Sequence, residues 1–187
     1  MSSSSKIIVG ITGATGAPVA CDFLRRCPGE KQVVASAWGK KLFADETGIG
    51  LSKLVDETGG ELIDNQNFMA PICSGGMPVN CMIILPCSSN TMGKIAAGIA
   101  DSVLTRAAHV TMKEQRRLIL VVREAPWATI DLENALKLSR AGVSIVPLSP
   151  MWYFNPTNLD ELISAFTDRL IEMCGGPVGR VWPEGVR

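Results

Sequence analysis

The sequence has no charge imbalance and few aromatic residues. Its 18 basic and 18 acidic residues cancel, so the chain lacks the basic surface of a nucleic-acid-binding protein and the polybasic patch that binds a membrane. Only 5% of the residues are aromatic while 47% are hydrophobic, a composition typical of an aliphatic α/β core. We therefore expect a small-molecule ligand, with no nucleic acid and no membrane as partner.

The sequence also lacks a long hydrophobic segment. No apolar run approaches the length of about 20 residues that a transmembrane helix needs. Residues 1–5 are polar and do not resemble the apolar part of a signal peptide. These absences predict a cytoplasmic protein. We expect a single domain over residues 1–187, large enough to bury its own core, with residues 175–187 as an irregular C-terminal arm.

Metal-ligating patterns are missing as well. The six cysteines contain no C-x-x-C pair, and the only histidine, His109, forms no zinc-binding spacing with them. We predict no metal and expect most of the cysteines to be buried thiols. Cys87 lies in a stretch rich in serine and is the one candidate for a reactive thiol, with a buried structural thiol as the alternative.

Short apolar runs alternate with helical patterns along the chain. The predicted strands cover residues 7–11, 33–37, 79–85, 118–122 and 143–147. The predicted helices cover residues 19–26, 40–46, 91–97, 105–114, 131–140 and 159–173. This alternation predicts a three-layer α/β fold with a mostly parallel sheet, either flavodoxin-like or Rossmann-like. Ligands of such sheets bind beyond the carboxyl ends of the strands, so we expect the functional residues directly after each strand.

A glycine-rich turn follows the first predicted strand. The spacing of Gly10, Gly13 and Gly16 differs from the G-x-G-x-x-G pattern of dinucleotide-binding proteins. The second apolar run ends in Ser36-Ala37-Trp38 and lacks the acidic residue that binds the ribose of NAD. The turn precedes a predicted helix, whose first N–H groups are an anion site. The alternative is a tight turn that uses glycine for structural reasons alone.

Four polar side chains follow the third predicted strand, at the start of a helix. They are Ser88, Ser89, Asn90 and Thr91. Hydroxyl and amide groups at this position combine with the free backbone N–H groups of the helix to bind a phosphate. Capping the helix requires only one such residue, so the run favours a phosphate site.

Charged residues surround the fourth predicted strand. Arg123 and Glu124 follow it directly, and charges at such a place are either an ion pair or a catalytic pair. Arg106 and Lys113 precede the strand and lie on one face of a predicted helix. Together with Arg123 they are candidates for a cationic clamp around a second phosphate. The alternative is a solvated helix face.

Three consecutive aromatic residues, Trp152, Tyr153 and Phe154, follow the fifth predicted strand. They are either part of the core or the wall of a site for a planar ring or an isoprenoid chain. Trp182 in the C-terminal arm is a further candidate for such a wall.

Taken together, these motifs resemble those of the UbiX-type flavin prenyltransferases, within the wider group of flavin-binding decarboxylase-like flavoproteins. The resemblance rests on TGATGA, DET, PCS, RAAHVTMKE, VREAP, LEN and WYFNP, at residues 12–17, 45–47, 86–88, 106–114, 122–126, 132–134 and 152–156. It implies an enzyme that joins a dimethylallyl group from dimethylallyl monophosphate to reduced FMN at N5 and C6. The product would be the prenylated FMN that UbiD-type decarboxylases use. It also implies a large homo-oligomer, commonly a dodecamer.

The resemblance further implies roles for individual residues. It assigns to the FMN site Gly13, Ala14, Thr15, Ser36, Ser88, Ser89, Asn90, Thr91 and Arg123. It assigns to the prenyl phosphate Arg106, Lys113, Tyr153 and Arg169. Its catalytic residues are Glu46 and Glu124 as acid/base carboxylates, with Lys113 and Thr15. Such cations would neutralise the leaving phosphate, and a carboxylate would move the proton that ring closure requires.

Two other functions agree with parts of the sequence. The residues from Ser88 to Lys94 are similar to the pattern of flavin-dependent cysteine decarboxylases. Those enzymes, however, carry a catalytic histidine before the third strand, where residues 67–80 have none. The other alternative is an FMN carrier or redox flavoprotein. The sequence leaves open whether the prenyl donor is a monophosphate or a pyrophosphate.

Overall fold

Six strands form one parallel sheet in the computed structural model, which describes residues 6–179. The strands are β1 (Lys6–Ile11), β2 (Glu30–Ala35), β3 (Glu61–Ile63), β4 (Cys81–Cys87), β5 (Arg117–Val122) and β6 (Ser144–Pro147). Their spatial order is β3-β2-β1-β4-β5-β6, and every neighbouring pair is parallel. This is the strand order of Rossmann-type doubly wound sheets, which confirms the predicted fold class.

Helices cover both faces of this sheet. They are α1 (Ala17–Arg26), α2 (Ala37–Thr47), α3 (Leu51–Glu57), α4 (Ser89–Ala96), α5 (Val103–Lys113), α6 (Thr129–Arg140) and α7 (Leu159–Met173). Two short 3-10 turns occur at Pro71–Cys73 and Trp152–Phe154. None of the helices in residues 6–179 is both long enough and apolar enough to cross a membrane.

The core consists of two apolar layers, one on each face of the sheet. Successive strand residues point to opposite faces, so Val9 and Ile83 pack with Phe166 of α7 and the residues of α1, whereas Ile8 and Met82 pack with α4 and α5. The central strands β1, β4 and β5 are buried on both faces. They therefore appear in the sequence as continuous apolar runs, which is why the sequence predicts them well.

The structure corrects the sequence-based boundaries at the β3 edge of the sheet. Strand β3 and helix α3 are missing from the prediction. The three residues of β3 are too few to show a period, and α3 is a short helix of seven residues. Strand β2 begins three residues before the predicted position. The prediction missed these residues because Lys31 and Gln32 are polar, although both are buried in the strand. The Lys31 ammonium group donates to the carbonyl oxygens of Cys27 and Gly29 at 3.0 and 3.2 Å, so this polar residue is satisfied inside a strand.

The predicted C-terminal arm lies only partly within the described residues. Residues 175–179 have no regular secondary structure. Residues 180–187, including Trp182, lie outside the described part of the chain. The arm and the single-domain boundary at 1–187 stay predictions.

Gly39 and Gly93 allow a matched test of how tightly α2 packs on β1. A Cβ atom at Gly39 would lie against the carbonyl group of Ile11, 2.9 Å from its carbon, whereas the nearest atom to a Cβ at Gly93 is 3.4 Å away, on Asn134. We expect Gly39→Ala to lower the free energy of unfolding by about 1–3 kcal/mol through overpacking. Gly93→Ala should leave it unchanged or raise it by up to about 1 kcal/mol, because alanine favours a helix. Thermal melts that rank the two variants in the opposite order would contradict the packing argument.

Candidate cofactor site

The hydroxyl group of Thr12 joins the carboxyl ends of β1 and β4. Its oxygen donates to the carbonyl oxygen of Pro86 at 2.9 Å and accepts from the amide of Ser88 at 2.8 Å. The strand order reverses between these two strands, and such a switch point is where doubly wound sheets bind ligands. The link therefore fixes the start of α4 beside the glycine turn at the expected binding position.

A cavity of about 520 Å³ opens at this switch point. Three helices begin at its wall, and each is capped by a serine: Ser36 for α2, Ser88 for α4 and Ser102 for α5. The positive ends of helix dipoles thus point at one space, which favours an anionic group. The same cavity is lined by a glycine and three hydroxyl-bearing residues of the predicted site: Gly13, Ser36, Ser88 and Thr91.

The starts of α4 and α5 differ in how many donors they leave for a ligand. The amides of Val103 and Leu104 in α5 already donate to Asn65, at 3.0 and 2.9 Å. In α4, by contrast, the amides of Ser89 and Asn90 have no partner among the described residues. The start of α4 is therefore the better phosphate site of the two.

Helix α1 is not available to an anion from outside. One carboxylate oxygen of Glu46 accepts from the amides of Gly16 and Ala17, at 2.9 and 2.8 Å. This negative charge occupies the positive end of α1. The glycine turn predicts that an anion binds at the start of α1. In the structure that anion is the side chain of Glu46, a residue of α2. Glu46 faces a second cavity, between α1, α2 and α7, and does not line the one at the switch point.

Gly13 is required for the close approach of Trp38. A Cβ atom at Gly13 would lie 2.8 Å from Cβ of Trp38, so any larger residue would displace the tryptophan. The indole of Trp38 is 66% exposed and lines the cavity. Sequence reasoning used Trp38 only to mark the absence of an acidic residue and did not place it at the site.

Glu124 lies at the cavity wall as a carboxylate held on both oxygens. Ser89 donates to one oxygen at 2.7 Å, and the amide of Ala125 donates to the other at 3.1 Å. These two hydrogen bonds, that of Ser89 first, lower the pKa of Glu124 below its usual value. Glu124 is therefore held in its charged form, and its side-chain partner is Ser89.

The predicted phosphate-binding cations do not converge within one chain. Lys113 pairs with Glu114 beside Gly75, just before β5 begins, whereas Glu124 follows the end of β5. The strand between them spans roughly 17–20 Å. Arg106 donates to the carbonyl oxygen of Cys73 at 3.3 Å. The two residues share a helix face as predicted, but the chain does not bring them to Arg123.

Five other predicted residues, Ala14, Thr15, Arg123, Tyr153 and Arg169, also do not line the cavity. Arg169 is on α7, on the opposite face of the sheet from α5, and pairs with Glu172 at 2.8 Å. The hydroxyl of Tyr153 donates to the sulfur of Met151 at 2.8 Å. Thr15 and Arg123 are exposed next to residues that do line the cavity. Buried Ala14 lies beside Gly13, and Asn90 and Ser89 line the cavity with Glu124.

The candidate thiol of Cys87 and the single histidine, His109, lie outside this site. Burial raises the pKa of Cys87 to about 12, so its thiol is a structural one. His109 contacts the carbonyl oxygen of Ile95 at 3.2 Å and does not line the cavity. All six cysteines are free. Within residues 6–179 no cluster of three His, Cys, Asp or Glu side chains is suited to a metal ion.

The cavity also contains residues that the sequence reasoning missed. Apart from Trp38, the polar ones are Thr12, Asn65, Gln66, Lys94, Asp101, Ser102 and Thr105. Ser102 and Thr105 form a reciprocal capping box, a pattern that is readable in a sequence. Asn65 was missed because it follows β3, the strand that was not predicted.

Comparison with known proteins first defines the general class. The chain matches the protein-family model described as Flavoprotein over residues 1–169. This match confirms the predicted class, since it includes nearly all of the described sheet and helices. The residues at the switch point fit FMN, because open helix N–H groups and hydroxyl side chains meet there in a cavity of ordinary ligand size.

More specific relatives define the particular family. Flavin prenyltransferase UbiX of Thermoplasma acidophilum is 40% identical over 171 residues, covering 91% of this chain and 94% of the relative. The crystal structure of AnUbiX in complex with FMN and dimethylallyl pyrophosphate has a TM-score of 0.89 and 31% identity, covering 97% and 100% of the two chains. A dodecameric FMN-dependent UbiX-like decarboxylase from Escherichia coli O157:H7 has a TM-score of 0.88 and 38% identity, covering 94% and 98%. The chain belongs to the UbiX-type flavin prenyltransferase family.

The hydrogen bond between Ser89 and Glu124 predicts a shift that can be measured without any assay of activity. Removing the hydroxyl in Ser89→Ala takes away the main cause of the lowered pKa, so the pKa of Glu124 should rise towards its usual value. The carboxylate would then become protonated at a higher pH. An NMR titration of the Glu124 carboxyl carbon measures this, with Ser52→Ala, an exposed serine of α3, as control. An unchanged Glu124 titration in Ser89→Ala would rule out this cause.

Proposed function

We propose that this protein is a flavin prenyltransferase. It joins the dimethylallyl group of dimethylallyl monophosphate to reduced FMN at N5 and C6, and its product serves a UbiD-type decarboxylase as cofactor. The observation that carries the proposal is the cavity at the switch point, where a carboxylate, Glu124, faces the same space as the open start of α4. Flavin prenyltransferases at 40% and 37% identity support the choice of reaction.

The residues of the cavity fall into two groups, those suited to bind FMN and the one suited to move a proton. The open N–H groups of α4 and the hydroxyls of Ser36, Ser88 and Thr91 are suited to hold FMN by its polar groups. When bound, the reduced flavin supplies the nucleophilic atoms N5 and C6. At N5 a C–N bond would form as the bond from the prenyl carbon to the phosphate oxygen breaks, with N5 losing its proton and phosphate leaving. At C6 a C–C bond would form as the prenyl double bond takes up one proton and C6 loses its own.

Glu124 is the residue best suited to move a proton in this reaction. Closing the new ring at C6 requires loss of the C6 proton, and Glu124 is the carboxylate at the cavity wall that can accept it. Ser89 and the amide of Ala125 orient both of its oxygens, so the acceptor is held in place before reaction. Glu46 has a different part, because its carboxylate holds the turn that carries Gly13 and Thr15.

The prenyl phosphate is proposed to bind between copies of the chain. Lys113, Tyr153 and Arg169 are exposed and lie on separate elements of one chain. Neutralising a leaving phosphate requires several of these donors at one place. The Escherichia coli O157:H7 relative is described as dodecameric, and a homo-oligomer of this chain, as the sequence predicts, would bring the donors of one copy to the cavity of another.

The other functions receive less support from the site. A cysteine decarboxylase of the type considered above needs a histidine at the flavin, and His109, the only histidine of the chain, is bound to Ile95 of α4 instead. A simple FMN carrier does not need a carboxylate fixed by two hydrogen bonds beside the cofactor. The prenyltransferase uses this carboxylate as its proton acceptor.

Mass spectrometry tests the reaction directly. The protein is incubated without oxygen with reduced FMN and dimethylallyl monophosphate, and the released flavin is weighed. We expect a flavin heavier by one five-carbon unit. Glu124→Gln should still bind FMN but lose at least about 99% of the product, as expected for loss of a general base. Unmodified FMN from the wild-type protein, with either the monophosphate or the pyrophosphate, would refute the proposed function.

Mixed oligomers test the shared site. Lys113→Ala and Glu124→Gln should each be inactive alone, because one lacks a phosphate-binding cation and the other the proton acceptor. If a site takes Lys113 and Glu124 from different copies, some sites in a mixed oligomer contain both intact residues. We therefore expect co-expression of the two variants to restore about a quarter of the wild-type rate, given random assembly. No recovery in verified mixed oligomers would place both residues in one chain's site.

A further inference from the structure

Lys94 is the only lysine or arginine among the described residues that line the switch-point cavity. The acidic residues of the lining are Asp101 and Glu124. Because the phosphate of FMN carries close to two negative charges, the cavity is short of positive charge for it. Helix N-termini supply only a partial charge each, so a cation at this wall would help to neutralise the phosphate.

Asp101 holds the Lys94 ammonium group at the wall. The ammonium group donates to a carboxylate oxygen of Asp101 at 2.6 Å. Asp101 directly precedes the capping serine of α5, and Thr105 donates to its other oxygen at 3.4 Å. This ion pair places Lys94 between α4 and α5, with 36% of its side chain exposed.

The position of Lys94 on α4 suits a group bound at the start of that helix. Lys94 follows Asn90 by one helical turn, so the two lie on the same face. Side chains on a helix lean towards its N-terminus, and a lysine side chain is long enough to reach the preceding turn. That turn carries the amides of Ser89 and Asn90, which have no partner in the described part of the chain.

We infer that Lys94 is a cofactor-binding residue that pairs with the phosphate of FMN, and that Asp101 is the residue that positions it. The inference rests on the proposed function, since it assumes that FMN binds at the switch point. It adds to the predicted site a cation that the resemblance does not assign. It also explains why a lysine and an aspartate face one another at the wall of a cavity lined mainly by hydroxyl and amide groups.

Comparing FMN with riboflavin, which lacks the phosphate, isolates this interaction. The full chain and its variants, freed of flavin, are titrated with each compound while flavin fluorescence is followed. Lys94→Met should weaken the binding of FMN about tenfold or more, as expected for loss of a charge-assisted hydrogen bond, and change riboflavin binding by less than about twofold. Lys94→Arg should recover most of the FMN affinity. Lys53→Met, which removes a lysine paired with Glu57 at 3.8 Å on α3, is the matched control.

Asp101→Asn separates the hydrogen bond that Asp101 makes with Lys94 from the negative charge that Asp101 carries. It keeps a side chain that accepts a hydrogen bond but removes the negative charge, so FMN binding should be retained or become tighter by a few fold. Equal losses of FMN and riboflavin affinity in Lys94→Met, with a lower melting temperature, would show that the pair only joins α4 to α5 and would overturn the inference. Unchanged FMN binding in Lys94→Met would overturn it as well.

The failure of this inference is distinguishable from failure of the proposed function. If the wild-type chain binds FMN more tightly than riboflavin and forms the prenylated product, while Lys94→Met does the same with equal affinity, only the role of Lys94 is wrong. If the wild-type chain shows no preference for FMN over riboflavin, the proposed phosphate site itself is wrong.

Discussion

The cross-strand link made by Thr12 determines where everything else at the site can lie. Its hydroxyl joins Pro86 and Ser88 at the point where the strand order reverses. The glycine turn and the start of α4 are thereby held side by side, although 74 and 76 residues separate Thr12 from Pro86 and Ser88 along the chain. A parallel sheet places all its carboxyl ends at one edge, but it does not by itself fix the distance between neighbouring loops. The buried hydroxyl of Thr12 does so here.

Electrostatic competition then decides which helix starts are open to a ligand. Glu46 neutralises the start of α1 from within the chain, and Asn65 takes the donors of α5. The first turn of α4 keeps two amides without a partner in residues 6–179. The site is thus defined as much by the helix ends that the chain satisfies itself as by those it leaves open. The same reasoning explains why a glycine-rich turn before α1 is weak proof of an anion site.

The accuracy of the sequence-based predictions follows the range of the interactions involved. The strands β1, β4 and β5 were predicted because burial on both faces requires a continuous apolar run. Ser36 and Ser88 were found because they lie at the ends of the apolar runs of β2 and β4, and both line the cavity. Strand β3 was missed because three residues carry too little pattern, and Asn65 was missed with it. The pairing of Glu124 with Ser89 was missed because adjacency in sequence suggested Arg123 instead.

The sequence by itself determined the class of fold, the edge of the sheet that carries function, and the family. These follow from local periodicity and from motifs whose order along the chain is preserved. Only the tertiary structure decided which charges meet: that Glu46 caps α1, that Ser89 holds Glu124, and that Lys94 and Asp101 share a wall of the cavity. It also separated Lys113 from Arg123, which the pattern of charges had grouped together. The reason is that hydrogen bonds and ion pairs act over a few ångströms, and the neighbours at that range are set by packing between distant segments, which no local pattern encodes.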